Sequence, residues 1–72
     1  MDKLLILGER IRKVREKKNI SQVELANSIN KDQQSIQRLE KGKVNPGYEF
    51  LLDVAEGLGM SLCEVLQFDQ DE

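Results

Sequence analysis

The chain has 72 residues, 39% of them hydrophobic and 33% charged, with a formal net charge of −2, one cysteine and no histidine. That size makes one domain, near the lower limit for a core without staples. The lone Cys63 excludes an internal disulfide, nothing clusters as metal ligands or calls for a cofactor, and the four-residue apolar run Leu4–Leu7 is too short for a signal or a membrane span.

In chain order, the first helix is predicted from about Leu5 to Lys18, with Leu7, Ile11 and Val14 as its inward stripe. Leu4–Leu7 starts this helix, covers a hydrophobic edge or contributes to an interface between copies. Lys17 and Lys18 suit the helix dipole, and Asn19 closes the helix. Residues Ser21 to Gly42 then read as two short helices hinged at Ile29–Asp32. Ser21 with Glu24 is a capping box. Leu25, Ala26 and Ile29 share one face, and Ala26 is small enough for a second helix to cross close by. Asp32 is the N-cap of that second helix, Ile36 and Leu39 are its inward residues, and Gly42 ends it in the left-handed region. Asn30, in the turn, tolerates positive φ. This arrangement leaves Gln33, Gln34, Gln37 and Arg38 outward as a row of mostly amide side chains. The pattern fits a helix-turn-helix.

Asn45-Pro46-Gly47 marks a loop over Lys43–Gly47. A fourth helix follows over roughly Tyr48–Leu58, burying Leu51, Leu52, Ala55 and Leu58 and ending near Gly59. Ser61 with Glu64 is a second capping box, opening a short fifth helix through about Gln67. Leu62, Val65, Leu66 and Phe68 form its apolar set, and the acidic tail Asp69–Glu72 frays. No strand-like alternation appears. The expected fold is therefore all-α: a compact bundle of five short helices, residues 1–72 as a single domain with its helix-turn-helix core at 21–42.

The net charge hides a division. Residues 1–48 hold all 11 Lys and Arg against 6 acids, whereas residues 49–72 hold 7 acids and no base. Such a dipole turns the N-terminal two-thirds toward a polyanion and the rest away from it. Solubility alone is the alternative reading, although 6 of the bases crowd into residues 10–18.

With QQSIxxLExGK at Gln33–Lys43 and QxELA at Gln22–Ala26, the stretch from Gly8 to Phe68 resembles the Cro and lambdoid phage repressor family of helix-turn-helix regulators, also called XRE-type. The resemblance implies a lambda repressor-like DNA-binding domain. Gln22 then binds a phosphate, and Gln33 and Gln34 read base edges in the major groove, with Gln37 beside them. Glutamine suits that task because its amide donates and accepts at once, matching the N6/N7 edge of adenine. Arg38 reads guanine or meets a phosphate. Ser35, Lys41, Lys43 and Arg10 are further phosphate contacts, with Lys13 a weaker candidate that a solvated helix face explains as well. Arg15 and Glu40 make a partly buried ion pair. Near the fifth helix, Leu62, Val65, Leu66 and Phe68 form a two-fold interface with a second copy.

The expected function is that of a cytoplasmic, stand-alone transcriptional regulator, a homodimeric repressor of double-stranded DNA at a near-palindromic operator. Histidine, a phosphate-cradling glycine loop and paired acids are all missing, so no enzyme is expected. No room is left for a ligand-sensing domain. An antitoxin with a toxin partner, a restriction–modification controller, or a protein-interaction module on the same fold are the alternatives.

Overall fold

The computed structural model describes residues 2–67. They form five helices, α1 (Lys3–Lys17), α2 (Gln22–Ser28), α3 (Gln33–Glu40), α4 (Tyr48–Gly57) and α5 (Leu62–Val65), with no strand among them. Phe68 and the tail expected to fray at Asp69–Glu72 lie outside the described residues.

Helix α1 begins two residues earlier than expected. Asp2 caps it, its Oδ1 accepting from the backbone N–H of Leu4 and of Leu5, both at 3.1 Å. Leu4–Leu7 therefore lies inside the helix. Leu7 packs on the core, whereas Leu5 and Ile6 stay largely exposed. Helices α2 and α3, of 7 and 8 residues, are too short to stand alone in water. They hold because Leu25, Ala26, Ile36 and Leu39 are sunk into one cluster with Ile11, Val14, Val54, Ala55, Leu58 and Val65. Full burial of a side chain such as Ile36 contributes about 1.5–3 kcal/mol. Helix α3 packs on both α1 and α2, α4 closes the far side of α2, and α5 bridges α4 back to α1.

One core expectation is corrected. Leu52 is 39% exposed, and Val54 takes the inward place at 0%. The stripe of α4 runs Leu51, Val54, Ala55, Leu58, spaced i, i+3, i+4, i+7, which points Leu52 outward.

The first four helices end in the same way. Asn19, Asn30, Gly42 and Gly59 have φ of +59°, +59°, +71° and +71°, and each lies two residues past the last helical one. In each case the N–H of the next residue reaches back to a carbonyl five positions earlier: Ile20 to Arg15, Lys31 to Ala26, Lys43 to Arg38 and Met60 to Ala55, at 2.9–3.1 Å. These are Schellman closures, and they turn the chain sharply with short connections. Asparagine serves at two of them. Gly42 has no such substitute, because a Cβ there would meet the Leu5 backbone at 2.8 Å.

Helices α1 and α3 cross closely at Gly8. A Cβ at this position would lie 2.5 Å from the carbonyl oxygens of both Leu39 and Glu40. Alanine normally gains up to about 1 kcal/mol over glycine inside a helix, but here the clash is with backbone and outweighs that gain. Gly8→Ala is expected to destabilise the fold by about 2–3 kcal/mol or more. Gly59→Asn, at an open left-handed position, is expected to change stability by less than about 1 kcal/mol. Urea unfolding of the two variants checks the pair, and equal midpoints would refute the close-crossing account.

Candidate nucleic-acid interface

Four polar side chains cover the outer surface of α3. Gln33, Gln34, Gln37 and Arg38 are all exposed, while Ile36, Leu39 and Glu40 hold the opposite side in the protein. The approach to this helix is set locally. The α2 capping box is closed in both directions, Glu24 N–H to Ser21 Oγ at 3.0 Å and Ser21 N–H to Glu24 Oε1 at 2.8 Å. The chain then turns at Asn30 and enters α3 through Asp32, whose Oδ1 accepts the Ser35 hydroxyl at 2.7 Å and the Ser35 N–H at 3.0 Å. Those two bonds, the hydroxyl's first, hold the Asp32 carboxyl below the usual carboxylate range. This end of α3 therefore presents an acceptor. Ser35, expected among the phosphate contacts, directs both its hydroxyl and its N–H to Asp32 in this structure.

Behind this outward row, Arg15 of α1 and Glu40 of α3 form a two-pronged pair, Nε to Oε2 at 2.6 Å and Nη2 to Oε1 at 3.0 Å. The third arm of the guanidinium donates to the Ile20 carbonyl at 2.8 Å. The residues are only 7% and 5% exposed. Hydrogen bonding to Glu40 raises the Arg15 pKa against the opposing effect of burial. Gln22 joins this pair, its Nε2 donating to Glu40 Oε1 at 3.0 Å. Gln33 continues the chain outward, its Nε2 donating to Gln22 Oε1 at 3.3 Å. Two amides thus link the buried ion pair to the first residue of α3. Each amide nitrogen carries two hydrogens, so one N–H of Gln22 and one of Gln33 remain for a ligand, together with Gln33 Oε1.

An open groove runs beside this ladder. Arg12 lines it together with Gln22, Glu40 and Lys41, and Glu9 and Glu16 stand on its wall. Arg12 was not among the residues singled out from the sequence. Its signal was its spacing of three from Arg15, which places both on one face of α1. Arg10, expected among the phosphate contacts, is a correction. It lies about 200° around the helix from Arg12, and its guanidinium donates to the carbonyls of Val65 at 2.9 Å and Glu64 at 3.1 Å. Lys13, Lys41 and Lys43 are exposed. On the other flank of α3, Arg38 and Gln34 line a cleft with Asp32, Val44 and Phe50, and Lys31 Nζ stands 5.4 Å from the centre of the Phe50 ring.

The expected subunit contact divides. Val65 is 0% exposed, so it belongs to the protomer's own core and has no surface to offer a second copy. Leu62 and Leu66 are half-buried, and Phe68 lies outside the described residues.

Comparison with known proteins gives a consistent picture. A helix-turn-helix family model matches residues 11–65. An uncharacterised HTH-type transcriptional regulator of Archaeoglobus fulgidus is 33% identical over 63 residues, covering 88% of this chain and 89% of that protein. The restriction-modification controller protein C.AhdI from Aeromonas hydrophila superposes with a TM-score of 0.84 at 28% identity, over 88% of this chain and 91% of that one. The P22 c2 repressor in complex with synthetic operator superposes with a TM-score of 0.75 at 32% identity, over 88% of this chain and 96% of that one. Among the described residues, no helix is long and apolar enough to cross a membrane.

The Arg15–Glu40 pair makes a direct prediction. Glu40→Ala strands a buried guanidinium and is expected to cost about 3–5 kcal/mol, much of the stability of so small a domain. Replacing both partners with apolar residues, Arg15→Met with Glu40→Leu, is expected to recover most of that loss. Urea unfolding of the single and double variants checks this. A single variant as stable as the parent would remove the pair from its structural role.

Proposed function

Because the chain belongs to the helix-turn-helix family of transcriptional regulators, we propose that it binds double-stranded DNA in a sequence-specific way, with α3 in the major groove. The observation that carries this reading is the outward row Gln33, Gln34, Gln37 and Arg38 on a helix pinned from behind by Ile36, Leu39 and Glu40. A major groove about 12 Å wide accepts one such helix. Gln33 and Gln34 supply paired donors and acceptors suited to adenine, and Arg38 suits guanine. Gln22 and Arg12, with Lys41 and Lys43 beyond the end of α3, are suited to the phosphates that set the register. The charge division supports the same orientation, since the whole stock of Lys and Arg lies in residues 1–48. The work is that of a cytoplasmic regulator.

A single short helix reads only a few base pairs, so recognition calls for a second copy. The apolar surface near the C-terminal end, half-buried Leu62 and Leu66 with Leu52 exposed on α4, is the two-fold contact in this reading. Two reading helices about 34 Å apart then favour a near-palindromic operator, and the outcome is repression by occupying a promoter. The likeness to the Aeromonas controller protein favours a second reading within the same class, control of a restriction–modification operon. A methyltransferase gene next to this one would select it.

Selection of preferred sites from random DNA tests the proposal, since recovered sequences report specificity, spacing and symmetry together. On such a site Gln34→Ala is expected to cost about 1–3 kcal/mol. Binding to unrelated DNA should stay nearly unchanged. Equal losses on the two DNAs would sink the base-reading role of Gln34.

A further inference from the structure

Helix α3 opens on an acid. Asp32 is exposed and directly precedes Gln33, with the extended backbone of an N-cap, φ −89° and ψ 163°. Capping by itself does not call for a charge, because serine and asparagine close a helix start as well as aspartate does. Beside a polyanion the negative charge is a cost. The carboxyl is nevertheless held in its ionised form by its bonds to Ser35. Both bonds fall on Oδ1, and among the described residues no hydrogen bond is made to Oδ2. Lys31 Nζ stands 5.4 Å from the centre of the Phe50 ring, and the ion pairs among the described residues do not include Asp32. Asp32 thus brings a charged acceptor to the cleft that Gln34 and Arg38 also line.

We propose that Asp32 is a specificity-determining residue: its free carboxylate oxygen accepts the N4 amino group of a cytosine in the major groove, beside the bases met by Gln33 and Gln34. This inference rests on the DNA-binding reading above. The chemistry selects one base. Cytosine shows only a donor on its major-groove edge, whereas guanine shows two acceptors, thymine shows a carbonyl oxygen, and adenine sets N7 beside its amino group. An ionised carboxylate can only accept, so it finds no unopposed donor on the other three. The bonds to Ser35 hold the carboxyl before DNA arrives, and little rotamer freedom is lost on contact. Arg38 stands six residues further along, about 9 Å of helical rise, and belongs to a different base pair. On unrelated DNA the same charge meets phosphate without the compensating amino group.

Asp32→Asn is nearly isosteric, keeps the cap, and puts an N–H donor where the free oxygen stood. Site selection from random DNA is run on the parent, on Asp32→Asn and on Gln34→Ala. The parent is expected to recover cytosine at one position beside those that Gln34→Ala alters. Asp32→Asn is expected to lose that cytosine and keep the rest of the site. In titrations, changing this C·G pair to T·A should weaken the parent about tenfold and Asp32→Asn by less than about twofold. Asp32→Ser, which also caps but is too short to reach the base, should lose the cytosine and gain no other preference. A variant that selects the same cytosine as strongly as the parent would leave Asp32 a cap alone and overturn the inference. So would a parent without cytosine at the position the variants change. Variants that also lose the positions altered in Gln34→Ala would overturn it too, since Asp32 would then act by holding α3. A parent that recovers no preferred sequence would overturn the DNA-binding reading itself.

Discussion

The bond between the Arg15 guanidinium and the Glu40 carboxylate is the constraint on which the rest of this molecule depends. These two are the buried charged residues among those described, and they sit where α1 and α3 cross. Burying two charges is expensive, and the mutual attraction repays that only when geometry is good and the remaining donors and acceptors are satisfied. Here both conditions hold, because the fork is bidentate, the Ile20 carbonyl takes the third arm, and Gln22 donates to the carboxylate. What the pair adds beyond burial is direction, because two parallel bonds fix how the guanidinium and carboxylate meet. The ion pair accepts one arrangement, and α3 is therefore held at one attitude to the rest of the protein.

That attitude matters because the outward row of α3 is linked to the buried pair. Gln33 leans on Gln22, and Gln22 leans on Glu40. A glutamine side chain on a helix surface ordinarily samples several rotamers, and ordering it on binding costs free energy. At Gln33 much of that ordering is already present in the folded chain. Gln34, Gln37 and Arg38 make none of these links, so the face combines one pre-set side chain with three that adapt. The close crossing at Gly8 serves the same end, since the two helix backbones meet with no side chain between them.

Helix termination is the second organising device, and charge follows it. Four Schellman closures bring five helices into so short a chain with tight connections. The fifth helix is also held from a distance, by Arg10, which donates to its last carbonyls and is drawn from the cluster that by count alone faces a polyanion. The positive surface offered outward is therefore smaller than the sequence total, and of it Arg12 and Lys41 line the groove beside the amide ladder. Glu49, Asp53, Glu56 and Glu64 lie on α4 and α5, apart from the helices that carry these cations.

Most of the fold was legible because its signals are local. Capping boxes at Ser21 and Ser61, the Asp32 cap, the tolerance of Asn19 and Asn30 for positive φ and the turn at Gly42 all join groups within five residues of one another. Sequence spacing and geometry are nearly the same thing at that range. The outward row of α3 followed by subtraction once Ile36 and Leu39 were assigned inward. Leu52 was misplaced because three adjacent apolar residues, Phe50, Leu51 and Leu52, allow two neighbouring stripes on α4, and only packing against α2 and α5 selects the one through Val54. Arg10, Val65 and the Gln33–Gln22–Glu40 ladder lay beyond the sequence for a different reason. Their partners are 11 to 55 residues away, and composition and period say nothing about which donor meets which acceptor over such distances. Local spacing alone was enough to place the helices and their turns, apart from the first two residues of α1. Which of the chain's many cations face outward, and which amide stands on which, was decided only when α1 closed over α3 and α5.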